Sequence, residues 1–189
     1  MTVLVGYVSR RGATRGVAGR IARRLRDDGI AVDLVALTGR EDPYGYEAAV
    51  LGSPVYGGRW ADELVRLLCR RAETLREQPV WTFTVGRLDG QRGLLRLLSW
   101  PDADDLADLH RLVHVRGHRF LPGVLDPRRL TPVERVLFRA FGGRYGEGDD
   151  GSAVDAWADE IAGELRAARS RSVASVPAPR AASSPNLVG

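Results

Sequence analysis

The chain has no lysine, one cysteine and one methionine in 189 residues, and each shortage closes off chemistry. A Gly-x-x-x-x-Gly-Lys-Ser/Thr loop needs its ammonium to reach the outer phosphates of a nucleotide, so that site is excluded. The Tyr-x-x-x-Lys pair of short-chain dehydrogenases is excluded for the same reason. Cys69 has no partner for an intramolecular disulfide, and nothing points to an oxidising compartment. Its neighbours Leu64, Val65, Leu68 and Ala72 predict an inert thiol on an apolar helix face. No stretch of 18 uninterrupted apolar residues offers a membrane span, and the first residues read as a strand rather than a charged leader. A cytoplasmic location is expected, with contact to the inner face of the membrane as the peripheral alternative.

All 28 basic residues are therefore arginine, set against 24 acids for a formal charge of +4. The two signs are interspersed rather than gathered into a stripe, so no nucleic-acid partner is expected. Apolar residues make up 44% of the chain, enough for one core. Residues 1–169 read as a single domain. From Ser170 the composition shifts to Ser, Pro, Ala and Val without acids, which predicts a disordered tail over 170–189.

Hydrophobic periodicity gives strands at Thr2–Val8, Ile30–Leu37, Ala48–Gly52, Pro79–Val85 and Val113–Phe120. Helices are expected from Thr14 to Asp27, Trp60 to Arg76, Asp104 to His110 and Ser152 to Arg169, the last opened by a Ser152-x-x-Asp155 capping box. Strands apolar on both faces and alternating with helices predict an α/β fold, a parallel sheet covered on both sides. The span 121–151 is extra to such a domain. In it Thr131-Pro132-Val133-Glu134 starts a helix that Gly142-Gly143 stops, with Arg128, Arg129, Arg135, Arg139 and Arg144 around an apolar face. That face reads either as a helix packed on the domain edge or as a surface for a lipid-like or anionic partner.

Ligands of a doubly wound sheet sit beyond the carboxyl ends of its strands. Three loops are expected there. Ser9-Arg10-Arg11-Gly12-Ala13-Thr14 places hydroxyls and a glycine at a helix start, where free N–H groups and the helix dipole favour a phosphate. An ordinary capped turn has the same composition. Gly52-Ser53-Pro54-Val55-Tyr56-Gly57-Gly58-Arg59-Trp60 offers Tyr56 for stacking on a flat heteroaromatic and glycines for close backbone approach. Gly86-Arg87-Leu88-Asp89-Gly90 is the third.

These loops and strands resemble the flavodoxin superfamily. Ser9 to Arg15 and the segment from Arg119 through Gly143 are most similar to its quinone-dependent protoporphyrinogen IX dehydrogenases. The resemblance implies a doubly wound five-stranded sheet of order 2-1-3-4-5 and FMN as cofactor. Ser9, Arg10, Arg11, Gly12, Ala13 and Thr14 would then lie at its phosphate, with Ser53, Pro54, Val55, Tyr56 and Gly57 beside the ring and Gly86, Arg87, Leu88 and Asp89 on the ring's other side. It also implies a porphyrinogen or other small redox substrate, a quinone acceptor and peripheral membrane contact through residues 128–144. Arg11 departs from the hydroxyl or acid usual there, and Asp89 to Asp105 match the porphyrinogen enzymes poorly. A flavodoxin-type electron carrier, or a flavoprotein like the NAD(P)H:quinone reductases, is the alternative within the same superfamily.

His110, His114 and His118 are spaced by four. Read as a strand, His114 and His118 stand roughly 13 Å apart at about 3.3 Å per residue, too far to share a metal, so no metal is expected. No catalytic base can be assigned, because triads and carboxylate pairs meet in space and not in sequence.

Overall fold

A computed structural model describes residues 2–10, 12–56, 59–86, 103–122 and 149–174. The elements run β1 (Thr2–Tyr7), α1 (Ala13–Asp27), β2 (Ala31–Ala36), β3 (Ala48–Tyr56), β4 (Arg59–Trp60), α2 (Asp62–Arg70), α3 (Ala72–Arg76), β5 (Val80–Gly86), α4 (Ala103–Val113), β6 (Val115–Pro122) and α5 (Asp149–Ala174). The sheet order is β2-β1-β3-β5-β6, parallel throughout, with β4 turned back on β3. With that hairpin strand set aside, the order is the expected 2-1-3-4-5.

Alternation along β1 sends Val3 and Val5 to one face of the sheet and Leu4 to the other. The first face is covered by α1 and α5 through Val17, Ile21, Leu25, Trp157, Ile161 and Leu165. The second is covered by Leu64, Leu67 and Leu68 of α2, Leu75 of α3 and Val113 of α4. Each such side chain contributes roughly 1.5–3 kcal/mol by leaving water, so both layers are needed to hold the sheet. β2 breaks the expected pattern of burial on both faces: Ala31, Asp33, Leu34 and Ala36 are exposed, because β2 is an edge strand.

Helix α1 stops as its sequence dictates. Gly29 takes φ +76°, Ile30 N–H donates to the Leu25 carbonyl and Gly29 N–H to that of Arg26, the paired bonds of a Schellman ending. Arginines on its outer face then pair with α5: Arg20 grips Asp155 through Nε (2.7 Å) and Nη2 (2.8 Å), and Arg24 grips Asp159 (2.6 and 3.0 Å). Asp155 is therefore an ion-pair partner inside a helix that begins at Asp149, and not the acid of a capping box. The same helix continues past Arg169 to Ala174, beyond the expected domain end.

Two further expectations change. The helix foreseen from Trp60 to Arg76 begins at Asp62 and is interrupted at Arg71. Cys69 is exposed: α2 buries Leu64, Leu67 and Leu68, and the next residue lies about 100° further round. The helix foreseen over 131–141 lies outside the described residues, as does the tail from 175.

Candidate functional site

The register of the sheet brings the expected loops to one rim. Tyr7 pairs with Gly52, Gly52 with Phe83, Pro54 with Val85 and Gly86 with Pro122, so β1, β3 and β5 deliver their carboxyl ends side by side. The chain leaves β1 toward β2 on one side, while β3 and its successors stack on the other. The crevice at that reversal is where an open α/β sheet takes its ligand.

The first loop is built like an anion cradle. Val8 N–H donates to the Gly52 carbonyl (2.9 Å), tying the loop's base to β3. Gly12 then turns with φ +88° as the residue before α1, a left-handed conformation that costs most residues with a Cβ about 1–2 kcal/mol and asparagine less. Its N–H donates to Ser9 Oγ (3.1 Å), and among the described residues that hydroxyl meets no acceptor of its own. No side chain caps α1 and no acid sits in its first turn, so the N–H groups of Ala13, Thr14 and Arg15 face the rim uncompensated. Thr14 is buried, Ala13 half-buried and Arg10 exposed; Arg11 lies outside the described residues.

The second loop is a hairpin. β3 continues four residues past Gly52, and Val55 and Tyr56 pair with Trp60 and Arg59 of β4. Ser53 is wholly buried, its Oγ donating to the Pro54 carbonyl (2.8 Å) and accepting from Ala61 N–H (2.9 Å). Its hydroxyl therefore joins the hairpin to the start of α2 and is not turned toward the rim. Pro54 is buried as well, Val55 is half-buried, and Tyr56 ends the strand at the rim. Gly52 admits Phe83 rather than a ligand: a Cβ there would overlap the Phe83 ring, which packs edge-on against Trp157 at 6.1 Å. Gly57 lies outside the described residues. Of the third loop only Gly86 is described, level with Pro122; Arg87, Leu88 and Asp89 lie outside.

Beneath the hairpin is a polar cluster that sequence spacing did not reveal. Trp60 Nε1 donates to Thr84 Oγ1 (2.8 Å), and Thr82 Oγ1 lies 3.0 Å from His110 Nε2 and 2.9 Å from His118 Nδ1. The imidazole centroids are 5.1 Å apart, and the Trp60 ring lies 5.6 and 5.9 Å from them. Burial and the nearby His110 hold His118 down at about 4, and burial lowers His110 too, so both are neutral at pH 7. His114 is exposed in the turn between α4 and β6 with φ +51°, not in the strand expected for it. Among the described residues no group of three or more His, Cys, Asp or Glu is arranged to hold a metal.

The fold and rim define a doubly wound α/β protein with an anion-ready loop at its topological switch point. A sequence profile of the Flavodoxin domain family matches residues 4–143, and the chain belongs to that family. No curated protein sequence matches it. Among solved structures it is similar to oxidised flavodoxin 2 from Bacillus cereus, with a TM-score of 0.60 at 17% identity over 88% of this chain and 99% of that one. It is similar also to the Streptococcus pneumonia TIGR4 flavodoxin, at 0.59 and 18% over 87% and 99%. Rubredoxin oxygen:oxidoreductase from Desulfovibrio gigas aligns at 0.58 and 15%, over 88% of this chain but 36% of its own. Among the described residues no helix is long and apolar enough to cross a membrane.

Proposed function

We propose that this chain binds FMN in the crevice between the ends of β1 and β3 and works as a flavodoxin-type electron-transfer protein. The observation that carries this reading is the α1 start: a left-handed Gly12, an uncapped first turn free of acids, and a Ser9 hydroxyl with its hydrogen available. A phosphate monoester dianion fits that donor set, since three backbone N–H groups and two hydroxyl-bearing residues meet it without a lysine. Family membership and the flavodoxin folds around it support the same cofactor.

When bound, FMN supplies the capacity to take up and release electrons, which no side chain here has. The protein's part is to hold and orient. Ser9, Gly12, Ala13 and Thr14 would hold the phosphate, Tyr56 and Gly86 would border the ring, and the β3–β4 hairpin would fix the position of Tyr56. Ser53 would act only through the hairpin.

Dehydrogenation of protoporphyrinogen with electrons passed to a quinone is the rival reading, a catalyst in place of a carrier. Its support is the likeness of Ser9–Arg15 and of 119–143, together with arginines at 128–144 suited to propionates or an anionic membrane surface. Titration of the flavin-free chain with FMN and with riboflavin tests the first claim. FMN should bind at least about tenfold more tightly, one charge-assisted bond's worth or more. Failure to bind FMN sinks the proposal; equal affinity for riboflavin sinks the phosphate cradle. A quinone-linked assay with protoporphyrinogen decides between catalyst and carrier.

A further inference from the structure

The net charge of the chain is gathered at one end of it. Of the 28 arginines all but Arg166, Arg169, Arg171 and Arg180 lie in residues 1–164, where the 24 acids balance them, and no acid follows Glu164. The formal +4 therefore belongs to those four arginines. The fold decides where three of them stand. Helix α5 runs parallel to α1, because Arg20, Arg24 and Asp28 meet Asp155, Asp159 and Arg166 in the same order. Since α1 starts at the rim, the carboxyl end of α5 lies at the end of the molecule opposite the crevice.

There α5 outruns its support. Leu165 is the last buried residue of the helix among those described, and Arg166, Ala167, Arg169, Ser170 and Arg171 are exposed. The helix nevertheless continues to Ala174, so about 13 Å of it, at 1.5 Å per residue, extends past Leu165. Arg166 Nη1 ties the base of this arm to Asp28 (3.0 Å), and Ser170 Oγ donates to the Arg166 carbonyl (3.1 Å). Among the described residues Arg169 and Arg171 meet no acid. Arginine and alanine are strong helix formers, which lets Arg166-Ala167-Ala168-Arg169 prolong a helix that has no core to pack on. The helix dipole favours a cation in the last turn, which accounts for Arg171 and not for Arg169.

The kind of partner follows from what the arm has and lacks. At about 100° per residue, Arg169 and Arg171 point to nearly opposite sides of the helix. A groove that takes one face of the arm meets one of them; a charged plane met end-on collects both, and Arg180 after them. No aromatic residue follows Trp157, and Ala and Ser stand between the arginines, so the arm has no anchor of the kind that fills a protein pocket. Diffuse positive charge without an apolar wedge fits the headgroup plane of an anionic bilayer.

We propose that the end of α5, with Arg169, Arg171 and Arg180, is a docking surface for an anionic phospholipid membrane and holds the molecule with its crevice turned away from the bilayer. Each arginine near such a surface favours binding by roughly fivefold, the equivalent of about 1 kcal/mol, so three give roughly a hundredfold preference over a neutral surface. A contact made of charge alone is reversible and weakens with salt. It uses no residue of the crevice and none of the arginines at 128–144, so it stands whether or not the flavin reading does.

Co-sedimentation of the full flavin-free chain with phosphatidylcholine vesicles, with and without about one-third phosphatidylserine, tests the proposal. At about 0.05 M salt, partition onto the phosphatidylserine vesicles should be roughly a hundredfold stronger, and about 0.5 M salt should remove most of the difference. Arg169→Gln/Arg171→Gln/Arg180→Gln should melt within about 2 °C of the parent and bind both vesicle types alike, whereas glutamine at Arg128, Arg129 and Arg135 should leave the preference intact. A fluorophore on the exposed Cys69, at the end of α2 remote from the rim, should be quenched by quencher-bearing lipid more strongly than one on Arg15→Cys in a Cys69→Ser background. Equal binding of the parent to both vesicle types, a preference that persists in the triple variant, or one lost with Arg128, Arg129 and Arg135 instead would overturn the docking surface. Capture by polyglutamate without vesicle binding would give the arm to an acidic protein and overturn it equally, and stronger quenching at position 15 would overturn the orientation.

Discussion

Ser53→Ala separates the two roles open to this serine. Sequence reasoning put its hydroxyl beside a flavin ring; the structure spends it inside the protein, accepting from Ala61 N–H and donating to the Pro54 carbonyl. Removal leaves the Ala61 N–H unpaired at the entrance to α2, in a residue 6% exposed. A buried donor without an acceptor costs about 1–3 kcal/mol. At about 2–4 °C per kcal/mol for a chain of this size, the melting temperature of the flavin-free protein should fall by about 2–12 °C. FMN affinity, measured well below that transition, should change by less than about threefold, under 0.7 kcal/mol. Scanning calorimetry gives the first number and flavin fluorescence titration the second. An unchanged melting temperature with tenfold weaker FMN binding would refute the assignment and return Ser53 to the rim.

Gly12→Ala meets nothing within 4 Å, so its cost should be the left-handed backbone alone, about 1–2 kcal/mol by denaturant unfolding, with Gly12→Asn milder. Gly52→Ala should cost about 3 kcal/mol by overpacking, and a second change, Phe83→Leu, should recover part of it if the ring is the obstacle. Asp155→Asn should lower the melting point in dilute buffer, and the difference should shrink in about 1 M salt, where screening extends to about 3 Å. His118 binds its proton at about 4 when folded and near 6.5 when unfolded, so its stabilisation is complete above 6.5 and is lost as the pH falls from there toward 4. Asp155, held low by Arg20, adds stability that disappears only at still lower pH; a urea midpoint series from pH 7 to 4.5 should therefore already decline.

The sheet was legible because burial on two faces and helical spacing are local signals: Val3, Val5 and Leu4 declare both layers within three positions. The turn into α1 was legible for the same reason, since Ser9 and Gly12 meet within one turn. The internal partners of Ser53 and Gly52 were not legible, because Ala61 and Phe83 lie 8 and 31 positions away. The histidine cluster joins β4, β5, α4 and β6, and a reading of single elements placed His114 and His118 apart on one strand without bringing His110 to His118. One signal was available: Thr82 and Thr84 alternate with Trp81 and Phe83 in a central strand, and buried hydroxyls require partners.

That strand also constrains how the rim can be tuned. Thr84 holds Trp60, Thr82 holds both imidazoles, and Ser53 pairs beside Thr84 in the ladder, so the hairpin is fastened from below at three polar points. Among the described residues, the rim brings together backbone: the first N–H groups of α1, the end of β3 and Gly86. Side-chain substitutions at the fastening points should consequently act on stability and on the position of the hairpin, while affinity for the phosphate, on the reading proposed above, should depend on Ser9 and the start of α1. Trp60→Phe makes the distinction measurable. It keeps an aromatic roof over the imidazoles but loses the bond to Thr84, leaving a buried hydroxyl short of one donor at a cost of about 1–3 kcal/mol. The discrimination between FMN and riboflavin should survive that change, while the absolute affinity for both falls together. If the discrimination itself collapses, hairpin and phosphate loop are one coupled unit, and the division between fastening and cradle is wrong.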